Sequence, residues 1–252
     1  MGVTVSGIYR FPVKGLSAEA LDRVELTVGE GLPGDRRFAL ALAGSKFDAA
    51  QPEWLPKSKF LMLMRDERLA TLQTHFDDAS GILEICRSGK TVKRGNITTP
   101  VGRALIEDFF AAFMNGNPPG KPRLVQAPGH MFSDRRSKVV SIINAASVAD
   151  LERIVGAPVD PLRFRGNLVV AGLEPWAEFD WLEREVAVGS ARLRIESRNK
   201  RCPATDVNPQ SGARDMNIPM ALKRGYGHTD LGVYATIIAG GTVAAGDEIE
   251  LR

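Results

Sequence analysis

The sequence predicts a mainly β protein with a few helices, an α+β fold in which a β-rich N-terminal region precedes a β-barrel domain. Short alternating apolar and polar stretches, separated by Gly, Pro, Asn and Asp, outnumber stretches with helical periodicity. The strands do not alternate with helices, as they would in a doubly wound parallel sheet. With 252 residues, 44% of them hydrophobic, the chain can bury a core without disulfides or metals.

The first half of the chain is predicted to be mostly strands. Val3, Val5 and Ile8 alternate at the start as the residues of a half-buried strand do. Turn residues separate the later apolar stretches from one another. Further strands are therefore expected at 24–28, 37–42, 69–76, 82–86 and 91–93.

A helix and then a break follow these strands. Leu105, Phe109 and Phe113 recur every fourth residue, which predicts a helix at 101–114 with these side chains on one face. The helix must end at 115–120, because Asn-Gly-Asn-Pro-Pro-Gly can continue neither a helix nor a strand. We therefore predict an N-terminal β-rich region at 1–117, whose first strands can pack on the second domain, and a barrel domain at 118–252.

The second half is again predicted to be rich in strands, with two short helices. A helix is expected at 147–155, with Leu151 on its apolar face and Gly156 as its end, and a second at 218–224. The intervening segments alternate or are apolar. Strands are expected at 138–143, 168–170, 185–188, 191–196, 233–239 and 247–251.

Composition excludes several function classes. The net charge is +3 without a block of like charges, which argues against a nucleic-acid partner. Two cysteines and three histidines are too few for a disulfide framework, a cysteine-rich zinc site or a histidine cluster. Neither a secretory signal nor an apolar run of about 20 residues is present, so we expect a cytoplasmic protein without a membrane span. The dinucleotide, P-loop and serine-hydrolase motifs are also absent.

The segment 197–212 is the strongest candidate for chemistry. It follows the strand expected at 191–196 and is predicted to be a loop, since it contains two prolines and a glycine. Cys202 follows the cations Arg198, Lys200 and Arg201 within this segment, and nearby positive charge favours the thiolate, which is both nucleophile and metal ligand. Cys86, in contrast, lies in an alternating strand and is interpreted as a buried apolar residue.

Other cations lie at strand ends beside glycines. Lys14 precedes Gly15, Arg36 follows Gly34-Asp35, and Arg163 and Arg165 precede an apolar strand. Such cations can close on a phosphate or another anion, although the ordinary interpretation of any single one is a solvated surface charge.

Four motifs in order resemble the MOSC family, named for homology to the C-terminal part of molybdenum cofactor sulfurase. The similarity is to two-part members with an N-terminal β-barrel region, such as the mitochondrial amidoxime-reducing component and its bacterial counterparts, and it extends from about residue 3 to residue 251. The motifs are Tyr9-Arg-Phe-Pro-Val-Lys14, Gly34-Asp-Arg36, Arg163-Phe-Arg-Gly-Asn167 and Arg201-Cys-Pro-Ala-Thr-Asp-Val-Asn-Pro209.

The resemblance implies a role for each motif. It assigns Cys202 as the catalytic residue and the direct ligand of molybdenum. The implied cofactor is the molybdenum cofactor (Mo-molybdopterin), and pyridoxal phosphate is not required. A soft thiolate suits such a metal, and fixed cations suit a phosphate-bearing ligand. The cofactor-binding residues that it implies are Lys14, Arg36, Asn144, Arg165, Asn167, Arg201 and Tyr234.

The sequence departs from the family pattern in three places. Gly15 replaces a serine of many relatives, Gly166 replaces a proline, and Asn208 replaces an aspartate. The chain also lacks the four cysteines of the ferredoxin-like domain that some bacterial relatives carry, so electrons would come from a separate protein of ferredoxin, flavoprotein or cytochrome type.

These features favour a molybdenum-dependent oxidoreductase that reduces small N-hydroxylated substrates. Two alternatives stay open from the sequence: a sulfur-transfer or carrier protein that uses a persulfide on Cys202, and a non-catalytic module that binds the molybdenum cofactor.

Overall fold

The computed structural model describes residues 2–252, which contain fifteen β-strands and three α-helices. The strands are β1 (Val3–Arg10), β2 (Glu19–Leu21), β3 (Arg23–Leu26), β4 (Ala39–Ala41), β5 (Leu72–Asp77), β6 (Ile82–Arg87), β7 (Lys90–Asn96), β8 (Arg123–Val125), β9 (Val140–Asn144), β10 (Leu168–Ala171), β11 (Glu185–Val188), β12 (Ala191–Lys200), β13 (Asp230–Ala239), β14 (Gly241–Ala244) and β15 (Glu248–Leu251). The helices are α1 (Pro100–Met114), α2 (Ala145–Val155) and α3 (Ile218–Tyr226). Short 3-10 helices lie at Lys57–Lys59, Glu67–Thr71, Pro161–Phe164, Ala177–Trp181 and Pro203–Asp206.

Seven strands close into a barrel in the order β1, β10, β9, β13, β12, β11, β15 and back to β1. Only β9 and β10 run parallel; the other neighbours are antiparallel. Apolar side chains from alternate positions fill the interior, among them Val5, Ile142, Leu193 and Val233. The mainly β fold with a barrel that the sequence predicts is confirmed.

Strand β1 closes the barrel, although it lies more than 100 residues before its neighbours. Ile8 pairs with Leu168 of β10, and Val3 pairs with Ile249 of β15. A bulge between Val5 and Gly7 shifts the register, and so both Val5 and Ile8 are buried inward. The first ten residues are therefore an integral part of the barrel that the second half builds.

The N-terminal region forms its own core beside the barrel. The antiparallel sheet β5–β6–β7 packs with α1, whose N-terminus Thr99 caps by accepting a hydrogen bond from Gly102 N. A Cβ on Gly102 would come within 1.8 Å of Asn96 O, so only glycine allows this close approach. Two short pairings, β3 with β14 and β4 with β8, join this region to the later chain.

The helix predicted at 101–114 is present as α1, and its most deeply buried stripe lies one position from the apolar residues that predict it. Ile106, Phe110 and Met114 are buried, whereas Leu105 is 40% exposed. Phe109 and Phe113 are partly buried and pack against the same core. Because every residue of Leu105-Ile106 and Phe109-Phe110 is apolar, the period alone cannot choose between the two adjacent stripes. No helix within residues 2–252 is long and apolar enough to cross a membrane.

Other boundaries shift for local reasons. The segment 197–200, predicted as loop, continues β12 across bulges in its pairing with β13. The short strands β2, β8 and β14 have three or four residues each, too few to show a period. Cys86 is half-buried rather than buried, and its sulfur lies 3.7 Å from Thr91 Oγ1 on the outer face of the β5–β6–β7 sheet.

Candidate functional site

A cavity of about 340 Å³ lies between the barrel and the loops of the N-terminal region. Seven of the eight sequence-predicted site residues line it: Lys14, Arg36, Arg165, Asn167, Arg201, Cys202 and Tyr234. Nine cationic side chains belong to the lining residues: Lys14, Arg36, Lys57, Arg135, Arg163, Arg165, Arg198, Lys200 and Arg201. Asp134 is the one acid among those same lining residues, so the cavity is suited to an anionic ligand.

Cys202 lies where β12 ends and the 3-10 helix Pro203–Asp206 begins. Its carbonyl accepts hydrogen bonds from Thr205 N at 3.0 Å and Thr205 Oγ1 at 2.9 Å, which fixes the backbone of the cysteine. The side chain is half-buried, and its sulfur accepts a hydrogen bond from Lys57 Nζ at 3.3 Å. The thiol is therefore both held in place and accessible from the cavity.

Lys57, like Asp134, is a site residue that sequence reasoning missed. It lies in the 3-10 helix Lys57–Lys59, and its ammonium also pairs with Asp134 Oδ2 at 3.3 Å. Burial opposes the charge of Lys57, but the negative charges of Asp134 and Cys202 outweigh it and raise its pKa. Nothing in a single sequence connects positions 57 and 202.

The cations that neighbour Cys202 in the sequence make contacts other than the one that Lys57 makes with the sulfur. Arg198 and Lys200 are exposed positions of β12, and the guanidinium of Arg198 stacks on the ring of Phe179 at 4.2 Å from its centroid. Arg201 is buried, and its guanidinium donates to the backbone carbonyl of Phe164 at 2.8 Å. The hydrogen bond to the sulfur comes from a distant lysine.

The buried ammonium of Lys14 pairs with the half-exposed carboxylate of Asp134 at one wall. Lys14 Nζ donates to Asp134 Oδ1 and, at 3.0 Å, to the carbonyl of Phe132. Burial lowers the pKa of Lys14, an effect that the Asp134 charge opposes and the charges of Arg36 and Arg165 reinforce. Burial alone would raise the pKa of Asp134, but Lys14, Lys57 and Arg36 lower it to about 2.

Arg36 and Arg165 lie side by side against the ring of Phe11, 5.0 and 4.1 Å from its centroid. Both have left-handed backbone, with φ of 49° and 52°, a strained conformation for a non-glycine residue. Arg36 pairs with Asp35 and donates to the carbonyl of Arg165 at 3.0 Å. Such strain is typical of sites where side chains must point at a ligand.

Arg165 has a donor without an acceptor. Its Nη1 donates to the carbonyl of Leu16 at 2.7 Å, but its buried Nη2 has no hydrogen-bond partner among residues 2–252. Burial and the adjacent charge of Arg36 lower the pKa of Arg165 to about 9. Because a buried donor without a partner is costly, this atom marks a place for an acceptor that a ligand brings.

Three further predicted residues line the cavity, but their side chains make hydrogen bonds to other residues of the protein: Asn167, Arg201 and Tyr234. Asn167 accepts from Ser141 N at 3.0 Å and donates to the carbonyl of Tyr9 at 3.1 Å, so it ties β1 to β9. With its amide oriented to satisfy both neighbours, Asn199 accepts from Arg201 Nη2 at 3.0 Å and donates to Tyr234 Oη at 2.9 Å. Burial lowers the pKa of Arg201 to about 10.

Asn144 does not line the cavity. It is fully buried and caps α2, accepting from Ala146 N at 3.0 Å. Its amide donates to the carboxylate of Glu178 at 2.8 Å, and burial raises the pKa of this carboxyl. The structure therefore places Asn144 in a capping network rather than beside the other predicted residues, because the polar end of the strand-to-helix turn faces inward.

The sequence of the second half matches a family model. Residues 127–250 match the model described as MOSC domain. The chain carries a MOSC domain. The curated relatives include mitochondrial amidoxime-reducing component 1 of Homo sapiens, 28% identical over 122 residues that cover 44% of this chain and 36% of the relative. Molybdenum cofactor sulfurase of Caenorhabditis briggsae is 24% identical over 253 residues, which cover 87% of this chain and 31% of that protein.

The chain thus matches only about a third of the length of these relatives. A solved structure, the YuaD protein from Bacillus subtilis, aligns with a TM-score of 0.47 and 14% identity over 100% of this chain and 96% of its own.

The cavity is shared between the MOSC domain and the chain before it. Cys202, Arg165 and Asp134 lie within the matched range, whereas Lys14 and Lys57 precede it. Arg214 of the MOSC domain connects the two parts, because it donates to Pro203 O at 3.0 Å and to Met64 O at 2.8 Å. The MOSC domain therefore supplies the thiol and part of the cation set, and the N-terminal region completes the wall.

The residues present fit a metal cofactor that carries its own ligands and a phosphate. Within residues 2–252, no group of three or more His, Cys, Asp or Glu side chains could hold a metal ion alone. One accessible thiol and the unpaired Arg165 Nη2 instead match a group that needs a single protein ligand and an anion-binding wall.

Proposed function

We propose that this protein is a molybdenum-cofactor-dependent oxidoreductase that reduces N-hydroxylated compounds. The observation that carries the proposal is one cavity that holds an accessible thiol, Cys202, and a buried arginine donor, Arg165 Nη2, without a partner. The curated relatives support it, since two of them are named for an amidoxime-reducing component and a molybdenum cofactor sulfurase.

Each proposed ligand residue has the chemistry for its role. The thiolate of Cys202 is a soft ligand of the kind that binds molybdenum, and Lys57 holds it by a charge-assisted hydrogen bond. Arg36 and Arg165 offer guanidinium donors for a phosphate, with Lys14 as an additional point charge. Asn167 and Arg201 hold the backbone that carries these groups.

The chain's own residues then bind, orient and shield the reactants. When bound, the cofactor supplies the two-electron chemistry that removes oxygen from an N–O bond and releases water. Met62 and Leu63 give the cavity an apolar wall that excludes water on the side of the N-terminal region. Arg135 stacks over the ring of Tyr234 at 5.1 Å and fixes the opposite wall.

The electrons are proposed to come from a separate protein of ferredoxin, flavoprotein or cytochrome type. The chain contains two cysteines, Cys86 and Cys202, whereas an iron–sulfur cluster is ordinarily held by four. Cys202 is assigned to the metal, which leaves no cysteine set for an internal relay in this sequence.

Metal analysis of purified protein tests the proposal. The full chain is produced in a host that makes the cofactor, and molybdenum and pterin are quantified together with reduction of an amidoxime by reduced methyl viologen. We expect about one molybdenum per chain and amidine product in the wild type, and neither in Cys202→Ala. Cys86→Ala is the matched control and should retain both. A wild-type protein without molybdenum would refute the assignment.

A sulfur-carrier function is the second candidate. The alignment with molybdenum cofactor sulfurase covers 87% of this chain, against 44% for the amidoxime-reducing component. The accessible thiolate of Cys202 beside Lys57 could also carry a persulfide sulfur. Mass spectrometry of the intact protein after incubation with a persulfide donor distinguishes the two: a labile gain of one sulfur on Cys202 supports the carrier, and bound pterin supports the reductase.

A further inference from the structure

The one acid among the cavity's lining residues lies among its anion-binding cations. Asp134 is located in the segment between β8 and β9, and its side chain is 47% exposed. It is the only carboxylate among residues that line the cavity, against nine lysines and arginines. A carboxylate in this position reduces the positive charge that an anion-binding site requires.

Asp134 bridges the two lysines of the site. Its Oδ1 accepts from Lys14 Nζ, and its Oδ2 lies 3.3 Å from Lys57 Nζ. Lys14 in turn lies close enough to Arg36 and Arg165 for their charges to act on it. One carboxylate therefore partly neutralises the cluster at which an anionic ligand would bind.

The other carboxylate near these cations is held by backbone as well as side-chain contacts. Asp35 is fully buried, pairs with Arg36 and accepts from Phe11 N at 2.8 Å, so it is fixed within the fold. Asp134 is half-exposed and bonded only through the two lysine side chains. Its side chain can turn toward solvent without breaking a backbone contact.

We propose that Asp134 is an internal counter-ion that determines ligand affinity. An anionic ligand must either displace this carboxylate from Lys14 and Lys57 or bind in spite of its repulsion. The proposal rests on the anion-binding part of the proposed function, the assignment of Lys14, Arg36 and Arg165 to a phosphate. It requires neither molybdenum nor redox chemistry. The carboxylate keeps the cations in place in the free protein and sets how much negative charge a ligand needs to enter.

The test measures anion binding with inorganic pyrophosphate as the probe. The full chain is produced without cofactor, and binding is followed by isothermal titration calorimetry at low ionic strength. Asp134→Asn is nearly isosteric and retains an acceptor for Lys14, so we expect it to bind pyrophosphate about tenfold more tightly than the wild type. Equal or weaker binding in Asp134→Asn, or no binding in either protein, would overturn the proposal.

Matched controls distinguish an effect of Asp134 on the cavity from an effect of the net charge of the protein. Asp22→Asn removes an exposed carboxylate outside the cavity lining and changes the net charge equally, so its affinity should stay within about twofold of the wild type. The double variant Asp134→Asn, Arg165→Met should lose the gained affinity. A gain in Asp22→Asn equal to that in Asp134→Asn would assign the effect to net charge and refute the counter-ion role. Because the readout needs no metal, this result is independent of whether molybdenum is found.

Discussion

Lys57 donates a hydrogen bond to Cys202 across 145 positions of sequence, with Nζ 3.3 Å from Sγ. The contact joins a short 3-10 helix of the N-terminal region to the end of β12 in the MOSC domain. It also extends through Asp134 to Lys14, so the thiol and the anion-binding cations belong to one charged network.

Removing the ammonium beside the thiol should slow the chemistry of the thiol. A cation 3.3 Å from sulfur stabilises the thiolate, which is the reactive form. In a Cys86→Ser background, Lys57→Met should reduce the rate of Cys202 alkylation by iodoacetamide about fivefold near neutral pH. Lys59→Met removes an exposed cation of the same 3-10 helix and should leave the rate unchanged. Equal rates for Lys57→Met and wild type would show that the contact does not activate the sulfur.

Arg165 should contribute to binding and not to stability. Its buried Nη2 lacks a partner within residues 2–252, and its backbone is left-handed. Arg165→Met should therefore bind less cofactor with little change in its melting temperature, because removal of the buried unpaired donor offsets the loss of the Nη1 hydrogen bond to Leu16 O. Differential scanning calorimetry and pterin content measure the two effects. A large drop in melting temperature would assign Arg165 to the fold instead.

The inward face of α1 can be tested with two adjacent residues. Ile106 is fully buried and Leu105 is 40% exposed. Ile106→Ala should lower the free energy of unfolding by about 2–5 kcal/mol, since it opens a cavity in the core. Leu105→Ala should cost about 0.5 kcal/mol or less. Chemical denaturation of both variants measures the difference, and the reverse order would indicate the helix face that the sequence period first suggested.

The barrel should depend on the first strand. β1 pairs with both β10 and β15 and is the strand that closes the ring. A fragment of residues 118–252 lacks it, exposes two strand edges and should show no cooperative thermal transition, whereas the full chain should melt cooperatively. Circular dichroism during heating measures the thermal transition of both proteins. A cooperative transition in the fragment would show that the second half folds alone, as the division at residue 117 implies.

Acid should remove the stabilisation that Asp134 provides. The cations around it lower its pKa from 3.8 to about 2, and burial only partly opposes them. A carboxyl whose pKa is lower in the folded state stabilises that state above its ordinary pKa, and the contribution is lost as the pH falls from about 4 to about 2. The stability difference between wild type and Asp134→Asn should therefore shrink over this range. Denaturation at several pH values, with Asp22→Asn as the control, measures it.

Several features of this protein could be predicted from the sequence because local patterns determine them. The strand at Glu185–Val188 and the helix ends at Met114 and Gly156 agree with alternation, capping and turn residues. All eight candidate site residues were also predicted, from the resemblance to the MOSC family, and seven of them line one cavity. The replacement of serine by Gly15 likewise has a local reason, because the backbone there has a φ of +83°.

Other features depend on contacts between distant segments, which leave no period or motif in a single chain. Whether Ile106 or Leu105 faces inward depends on the sheet that covers α1, and Asn144 faces Glu178 because of how α2 packs. The pairing of Lys57 with Cys202, and of Asp134 with both lysines, arises only when separate segments of the chain meet at the cavity. Local patterns in the sequence thus predict most of the strands and the candidate ligands, whereas the packing of the N-terminal region against the barrel brings Lys57 and its neighbours to the thiol.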